Sequence, residues 1–373
     1  MDFTYNEEQR MLTDSLRRLM VDGWSFEQRR KRAARAGLDE TAWRSLADVG
    51  VLGLLIPEAY GGFGESPATL VATQLELGRG LVSEPVIPSA VMATALLLNS
   101  GNDAARAECL PGMAAGERVL ALAYLETGQH NTLRPLATRA ARTEQGFVLN
   151  GSKKLVWLGA CADQLILTAV LNGETALFLV PADAAGLSTR DYPSMDGYRC
   201  ASVELDEVDL PAAALIAQGG AAETALDAAM DHGVTAVCAH AAGAMQRLIE
   251  ITADYLKTRR QFGRPLADFQ VLQHRLADML MQQEIAISMA YVAATALGEP
   301  QAEERQRLLS SAKVSIAQAG RYVGQNAVQL HGGIGMTDEL EVGDYFKRLT
   351  FADPLLGNTD FHLTRLEALY QQD

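Results

Sequence analysis

Two arginines and a phenylalanine lie at one predicted helix end, near Gln261, and could bind a phosphorylated ligand. Arg259 and Arg260 stand at this end, Phe262 follows them, and Gly263 and Pro265 make a turn. Guanidinium groups suit a pyrophosphate, and an aromatic ring suits the face of an adenine. A basic last turn that complements the helix dipole is the competing interpretation, and on the residues alone it has more weight.

A glycine-rich turn towards the carboxyl end is the second candidate for phosphate contact. The segment Gln329–Met336 reads Q-L-H-G-G-I-G-M and places Gly332 and Gly333 after a long predicted helix. Glycines let backbone amides approach a phosphate closely, although they serve equally well as a helix stop. Two predicted helices separate this turn from the Arg259 segment, so the two segments could meet in the folded chain.

The elements that must position these residues divide the 373-residue chain into three predicted regions. Residues 1–117 have apolar residues at helical spacing, and residues 217–373 return to that spacing over long stretches. Residues 118–216 contain short apolar or alternating runs between turn pairs such as Asn150-Gly151, which predicts an antiparallel β domain. The predicted fold class is α+β and mainly helical.

Composition and charge exclude several classes of protein. Lys plus Arg total 32 and Asp plus Glu total 46, giving a formal net charge of −14, so we expect no nucleic-acid-binding surface. The four cysteines contain no C-x-x-C pair and the six histidines show no metal-ligand spacing, so neither zinc nor a disulfide framework is expected. No apolar run is long enough for a signal peptide or a membrane span, and we expect a cytoplasmic protein.

Four motifs together resemble the acyl-CoA dehydrogenase family. They are F-T-Y-N-E-E-Q-R at 3–10, L-G-L-L-I-P-E-A-Y-G-G-F-G at 52–64, R-R-Q-F-G-R-P-L-x-x-F-Q at 259–270 and Q-L-H-G-G-I-G-M at 329–336. The helix–β–helix order matches the architecture of that family, which ends in a four-helix-bundle-like domain, and the resemblance covers essentially the whole chain. Phrases such as D-H-G-V-x-A-V-C-A at 231–239 are most similar to small subunits of pimeloyl-CoA-type dehydrogenases.

The resemblance implies a flavoenzyme that binds FAD at a subunit interface and removes the α and β hydrogens of an acyl-CoA thioester. It also implies electron-transfer flavoprotein as the electron acceptor, and a tetramer that is either homo-oligomeric or contains a second dehydrogenase-like subunit. By resemblance, the glycine turn approaches the FAD diphosphate from a neighbouring subunit, and Asp231 lies beside the CoA chain. The cofactor-binding positions implied by the motifs are Arg259, Gln261, Phe262, Gln270, Gln329, Gly332, Gly333 and Thr359.

The chain departs from the family where a catalytic base is expected. Most members have a glutamate at the position of Gly357, and some have it at the position of Gly233, yet glycine cannot accept a proton. Two segments that contact the flavin in the family are also altered, Leu125–Thr132 and Leu155–Gly159. The catalytic residue therefore stays unassigned, and the β-domain half of the FAD site differs from the family pattern.

The missing base leaves three hypotheses. The leading one is a dehydrogenase subunit in a hetero-oligomer whose partner contributes the base. The second is a self-sufficient dehydrogenase with a displaced base such as Asp353, with Asp231, Asp360, His331 and His362 as weaker candidates. The third is a non-catalytic structural or acyl-CoA-binding subunit. The closer resemblance favours medium-chain dicarboxylyl-CoA as the substrate, with steroid-derived acyl-CoA as the alternative.

Overall fold

The first region of the chain is helical, as predicted. The computed structural model describes residues 5–35, 37–128 and 133–371. This region contains α1 (Glu7–Gly23), α2 (Phe26–Ala33), α3 (Glu40–Asp48), α4 (Pro67–Arg79), a π-helical segment (Val86–Ala93), α5 (Thr94–Asn99) and α6 (Asp103–Ala114). Asn6 and Ser25 form capping boxes at the starts of α1 and α2, so the local sequence itself specifies where these helices begin.

The middle region is one mixed β-sheet. Its strands are β1 (Leu120–Ala123), β2 (Arg139–Arg142), β3 (Gly146–Trp157), β4 (Gln164–Leu171), β5 (Glu174–Pro181), β6 (Leu187–Pro193), β7 (Arg199–Pro211) and β8 (Leu215–Gln218). The strand order is β6-β7-β3-β2-β4-β5-β8, and β1 also pairs with β4. Most pairings are antiparallel as predicted, but β1 and β2 both run parallel to β4. The two strands pair with successive parts of the same edge of β4. Turn residues between strands that follow each other in the chain predict hairpins and do not predict this arrangement.

The last region is a bundle of long helices. Its elements are α7 (Gly220–Thr258), a hairpin of β9 (Arg260–Gln261) and β10 (Arg264–Pro265), α8 (Gln270–Ala296), α9 (Ala302–His331), α10 (Val342–Ala352) and α11 (Thr359–Tyr370). Glycines let α4 approach α7 closely, because a β-carbon on Gly78 would collide with the His240 carbonyl and one on Gly243 with the Leu75 carbonyl. The mainly helical α+β fold class is confirmed. Among the described residues, none of the helices combines the length and hydropathy that crossing a bilayer requires.

A buried arginine joins the three regions. The Arg348 guanidinium on α10 lies 2.8 Å from the Asp196 carboxylate before β7 and donates to the Tyr198 hydroxyl (2.9 Å) and the Val82 carbonyl (3.1 Å). It also lies 2.8 Å from His240 Nε2 on α7. Burial and the neighbouring cation hold the pKa of His240 well below its ordinary value, so the ring is neutral and accepts this hydrogen bond. The sheet and both helical regions are therefore fixed relative to one another.

Candidate functional site

The Arg259 segment forms a hairpin that projects from the end of α7. The helix ends at Thr258, earlier than the predicted end near Gln261, and Arg259 starts the extended chain. Phe262 (φ +53°) and Gly263 (φ +82°) form the left-handed tip of the hairpin, which leaves the Phe262 side chain 88% exposed. Arg259 and Gln261 are exposed as well. These side chains are not part of the hydrophobic core, so they are accessible to a ligand or a partner.

The glycine turn lies at the same end of the bundle as the hairpin. The Tyr255 ring stacks on His331 with centroids 4.3 Å apart, and the Tyr255 hydroxyl donates to the His331 carbonyl at 3.3 Å. Gly332 follows with φ +67°, and a β-carbon on Gly332 or Gly333 would meet no atom within 4 Å. The turn is therefore an open backbone surface. The end of α7, which precedes the hairpin, therefore contacts the end of α9, which precedes the glycine turn.

Gln329 and Gln270 border these two segments, but Thr359 lies elsewhere. Gln329 is exposed on the last turn of α9, and Gln270 is exposed as the first residue of α8. Thr359 is the first residue of α11, and both its amide and its hydroxyl donate to the Asp353 carboxylate, at 2.9 and 2.7 Å. The predicted cofactor residues thus fall into a surface group at the end of the bundle and one residue at the start of α11, directly after the loop that joins α10 to α11.

This loop borders a cavity of about 90 Å³ between α7, α9, α11 and the residues after β1. One part of its wall is apolar and includes Met230, Val234, Leu309 and Leu356. The other part contains two carboxylates and two guanidinium groups within a set of polar residues: Asp227, Asp231, Arg305, Gln306, His362 and Arg365. The cavity can therefore accept a ligand with an apolar part and a charged or hydrogen-bonding part.

Asp231, the predicted substrate-binding residue, lies in this wall and is ion-paired. Its carboxylate accepts a hydrogen bond from Arg305 Nε at 2.8 Å, and Arg305 also donates to the Glu299 carbonyl. Burial raises the pKa of Asp231, which the Arg305 cation opposes. The nearby Asp227 also has a raised pKa, caused by burial and then by repulsion from Asp231. Two interacting carboxylates thus line one side of the cavity.

Gly357 lines the cavity with a backbone conformation that excludes other residues. Its φ is +102°, and a β-carbon built there would lie 2.6 Å from Phe361 Cδ1 and 2.7 Å from His362 Nε2. His362 is buried and is held between the Ser310 hydroxyl (3.1 Å) and the Leu356 carbonyl (3.2 Å). Burial, with help from nearby cations, lowers the pKa of His362 to about 3, so the ring is neutral. The space that a side chain at 357 would need is already filled.

Gly233, the second position where a base was considered, is also closed. A β-carbon there would lie 2.8 Å from Leu356 Cδ1 and 3.0 Å from the Met92 side chain. Met92 belongs to the π-helical segment and is buried. A larger residue at either glycine would therefore require movement of packed neighbours.

A buried lysine holds the loop on which Gly357 lies. The Lys313 ammonium on α9 donates to the carbonyls of Ala352 (2.9 Å), Asp353 (2.7 Å) and Gly357 (2.8 Å). Its three protons are therefore all used. Burial lowers the pKa of Lys313 to about 8. This ammonium fixes the loop geometry and places a positive charge behind the Gly357 carbonyl.

The other candidate bases are committed to structural contacts or face solvent. The Asp353 carboxylate accepts both hydrogen bonds from Thr359 and pairs with Arg321 at 3.3 Å. Asp360 is exposed in the first turn of α11. His331 Nδ1 lies 2.8 Å from the Ala327 carbonyl, and burial lowers the pKa of this ring. None of these three lines the cavity that Gly357 borders.

Residues 155–159, which differ from the family pattern, lie at the end of β3, and the tryptophan in this segment is buried. Leu155 and Leu158 both have positive φ, and between them Trp157 is buried with its ring edge-on to Tyr198 at 4.9 Å. Lys153, four residues earlier on β3, makes a buried ion pair with Glu126 at 2.7 Å. Of the other altered segment, 125–132, residues 129–132 lie outside the described part of the chain.

Several charged residues at the cavity were not predicted from the sequence. Asp227 precedes Asp231 by one helical turn, so the spacing could have placed both on one face of α7. Arg305 and Arg365 come from α9 and α11, and Lys313 is an isolated lysine in a helix. Their meeting depends on the packing of three helices, for which the local sequence contains no signal.

Comparison with known proteins matches the chain along nearly its full length. Models of the N-terminal, middle and C-terminal domains of acyl-CoA dehydrogenases match residues 6–117, 121–208 and 222–368. The acyl-CoA dehydrogenase IpdE2 of Mycobacterium tuberculosis is 30% identical over 97% of each chain. FadE27, another acyl-CoA dehydrogenase of that organism, is 28% identical over 88% of this chain and 87% of its own.

Two solved structures of dehydrogenase complexes are similar over the whole chain. One is described as a variant of the Tcur3481-Tcur3483 steroid ACAD, with a TM-score of 0.88, 32% identity and 98% of each chain covered. The other is the ChsE4-ChsE5 complex from Mycobacterium tuberculosis, with a TM-score of 0.89, 26% identity and 100% of each chain covered.

Proposed function

Because the chain belongs to the acyl-CoA dehydrogenase family, we propose that it is an FAD-binding subunit that dehydrogenates an acyl-CoA thioester with a base from a partner subunit. The observation behind the proposal is the closed position at Gly357, where a β-carbon would overlap Phe361 and His362. The residues proposed to bind the nucleotide, apart from Thr359, in contrast lie exposed on the surface. A chain that keeps the cofactor residues and blocks the base position needs a proton acceptor from elsewhere.

The surface at the end of the bundle fits the adenosine diphosphate half of FAD. Among the described residues the Arg259 guanidinium makes no ion pair, Phe262 is 88% exposed with only an edge-on contact to Phe269, and Gly332 and Gly333 face open space. Arg259 would hold the diphosphate through charge-assisted hydrogen bonds, and Phe262 would contact the adenine face. Gln261, Gln270 and Gln329 would supply polar contacts around it, with the glycine turn coming from a neighbouring subunit. When bound, FAD supplies the hydride acceptor.

The β-domain half of the site would be mainly apolar in this subunit. The Trp157 ring is packed against Tyr198, and Leu155 is exposed beside it. Thr359 directly follows the loop at the cavity on which Gly357 lies. We propose that this loop, held by Lys313, faces the reacting carbons of the substrate while the partner subunit presents the base.

The cavity would bind the thioester end of the substrate. Its apolar wall can contact acyl methylenes, and the Asp231 carboxylate can accept a hydrogen bond from an amide of the CoA chain. The acyl group is a medium-chain dicarboxylyl or a steroid-derived one, and the second choice is supported by the description of one similar structure as a steroid ACAD. Electron-transfer flavoprotein is the proposed electron acceptor.

The hetero-oligomeric state is supported by the similar structures, two of which are described by paired names, ChsE4-ChsE5 and Tcur3481-Tcur3483. The displaced-base alternative has less support because the Asp353 carboxylate is bound by Thr359 and Arg321. The non-catalytic alternative is favoured by the closed Gly357 position but not by the open nucleotide surface.

Purification of the chain alone and together with the product of an adjacent dehydrogenase-like gene tests the proposal. We expect flavin and turnover of acyl-CoA with an artificial acceptor only in the complex, with substrate bleaching the flavin bands. Robust turnover by the chain alone would contradict the partner-supplied base. A complex without flavin would favour the structural subunit.

A further inference from the structure

Arg365 is the guanidinium group of the cavity for which the described residues provide no hydrogen-bonding or ion-pair partner. Among the described residues it makes no hydrogen bond and no ion pair, and its guanidinium carbon rests 4.6 Å from the centre of the Phe361 ring. Arg305, the other guanidinium of the wall, is held by Asp231 and the Glu299 carbonyl. Arg365 is partly buried, and burial lowers its pKa. A partly desolvated cation without a partner is an anion-binding group.

We propose that Arg365 binds a carboxylate on the acyl group of the substrate, so that the site selects acyl-CoA molecules with a second acid group. This inference rests on the proposed function. A guanidinium binds a carboxylate through two parallel hydrogen bonds, which fixes the ligand in orientation as well as in charge. Phe361 supports the Arg365 side chain and also borders Gly357, so the bound carboxylate lies in the same cavity as the closed base position.

The position of the cavity favours an acyl carboxylate over a phosphate of the CoA carrier. Gly357, at the position where most family members have their base, lines the same cavity as Arg365. The cavity is also where the proposed function places the acyl carbons rather than the nucleotide.

The two carboxylates near Arg365 should affect the binding of an anionic ligand differently. Asp231 is paired with Arg305, whereas Asp227 makes no ion pair with Arg365 among the described residues and acts on it through charge alone. Asp227 therefore repels an incoming carboxylate without occupying its place. Removing Asp227 and removing Arg365 must then change the affinity for such a ligand in opposite directions.

Equilibrium binding to the purified complex tests the inference with matched thioesters, glutaryl-CoA against valeryl-CoA and adipyl-CoA against hexanoyl-CoA. We expect Arg365→Met to lower the affinity for the dicarboxylyl ligands by about 10- to 100-fold and to change the affinity for the monocarboxylyl ligands by less than about twofold. Arg365→Lys should restore part of the loss. Asp227→Asn should raise the affinity for the dicarboxylyl ligands severalfold.

Arg307→Met is the matched control, because Arg307 is on α9 outside the cavity and pairs with Glu304. This variant should bind every ligand like the wild type. Equal weakening of all four thioesters by Arg365→Met would assign Arg365 to a carrier phosphate and overturn the inference, as would unchanged binding. If the wild-type complex binds none of the four ligands but binds a steroid-derived acyl-CoA, the inference fails and the proposed function stands; if it binds no acyl-CoA at all, the proposed function itself fails.

Discussion

Replacing Gly357 tests most sharply whether the base position is closed. Alanine there must adopt φ near +102°, which costs on the order of 1–3 kcal/mol for a residue with a β-carbon. The β-carbon must also displace Phe361 and His362 from 2.6 and 2.7 Å, and overpacking of this kind costs about 1–3 kcal/mol more. His362 cannot yield easily because it bonds the Ser310 hydroxyl and the Leu356 carbonyl. We therefore expect Gly357→Ala to lower the free energy of unfolding by about 2–6 kcal/mol.

The assay is denaturant-induced unfolding followed by circular dichroism, at one protein concentration because oligomerisation contributes to stability. Gly220→Ala is the matched control: it lies in the first turn of α7, has no positive φ, and its β-carbon would meet nothing within 4 Å. That change should be neutral or slightly stabilising. Gly357→Glu should be destabilised at least as strongly as Gly357→Ala, while Gly220→Glu should not. An unchanged unfolding free energy for Gly357→Ala would refute the closed position.

Three further changes test the charges that hold the site. Glu126→Gln should lower the free energy of unfolding by about 3–5 kcal/mol because Lys153 stays buried without its carboxylate. Burial raises the pKa of Glu126, but Lys153 and backbone amides outweigh burial and hold this pKa at about 2. The free energy of unfolding of the wild type should therefore fall as the pH is lowered from 4.5 to 2. The same dependence of the unfolding free energy on pH in the variant would contradict this. Lys313→Met should lower the free energy of unfolding, measured by denaturant titration, by about 2–4 kcal/mol because three hydrogen bonds are lost. The control Lys257→Met, at an exposed position, should lower it by less than about 0.5 kcal/mol. Asp353→Asn in the complex should retain turnover and the flavin spectrum, and loss of turnover with intact flavin would support a displaced base.

The helix–β–helix order was predictable because each region has its own periodicity. Alanine- and leucine-rich stretches repeat at helical spacing, and paired turn residues separate the short strands. That the hairpin and the glycine turn lie at one end of the bundle was predictable as well, since two predicted helices separate them in the chain. The boundaries at 117/118 and 216/217 stay predictions.

Three features could not be predicted from local pattern. β6 and β8 were not predicted, β6 because its residues are exposed or half-buried and lack an apolar alternation. The parallel pairing of β1 and β2 with β4 joins segments far apart in the chain. The contacts of Lys313 and Arg365 likewise depend on how α9 and α11 pack, and the closed space at Gly357 depends on the rings of Phe361 and His362.

We propose that this subunit binds the cofactor and the substrate but takes its base from a partner. The rate of acyl-CoA oxidation with an artificial acceptor, with flavin counted per chain, is to be measured for the chain alone and for the purified complex. We expect turnover in the complex and none in the chain alone. Turnover by the chain alone at the rate of the complex would contradict it.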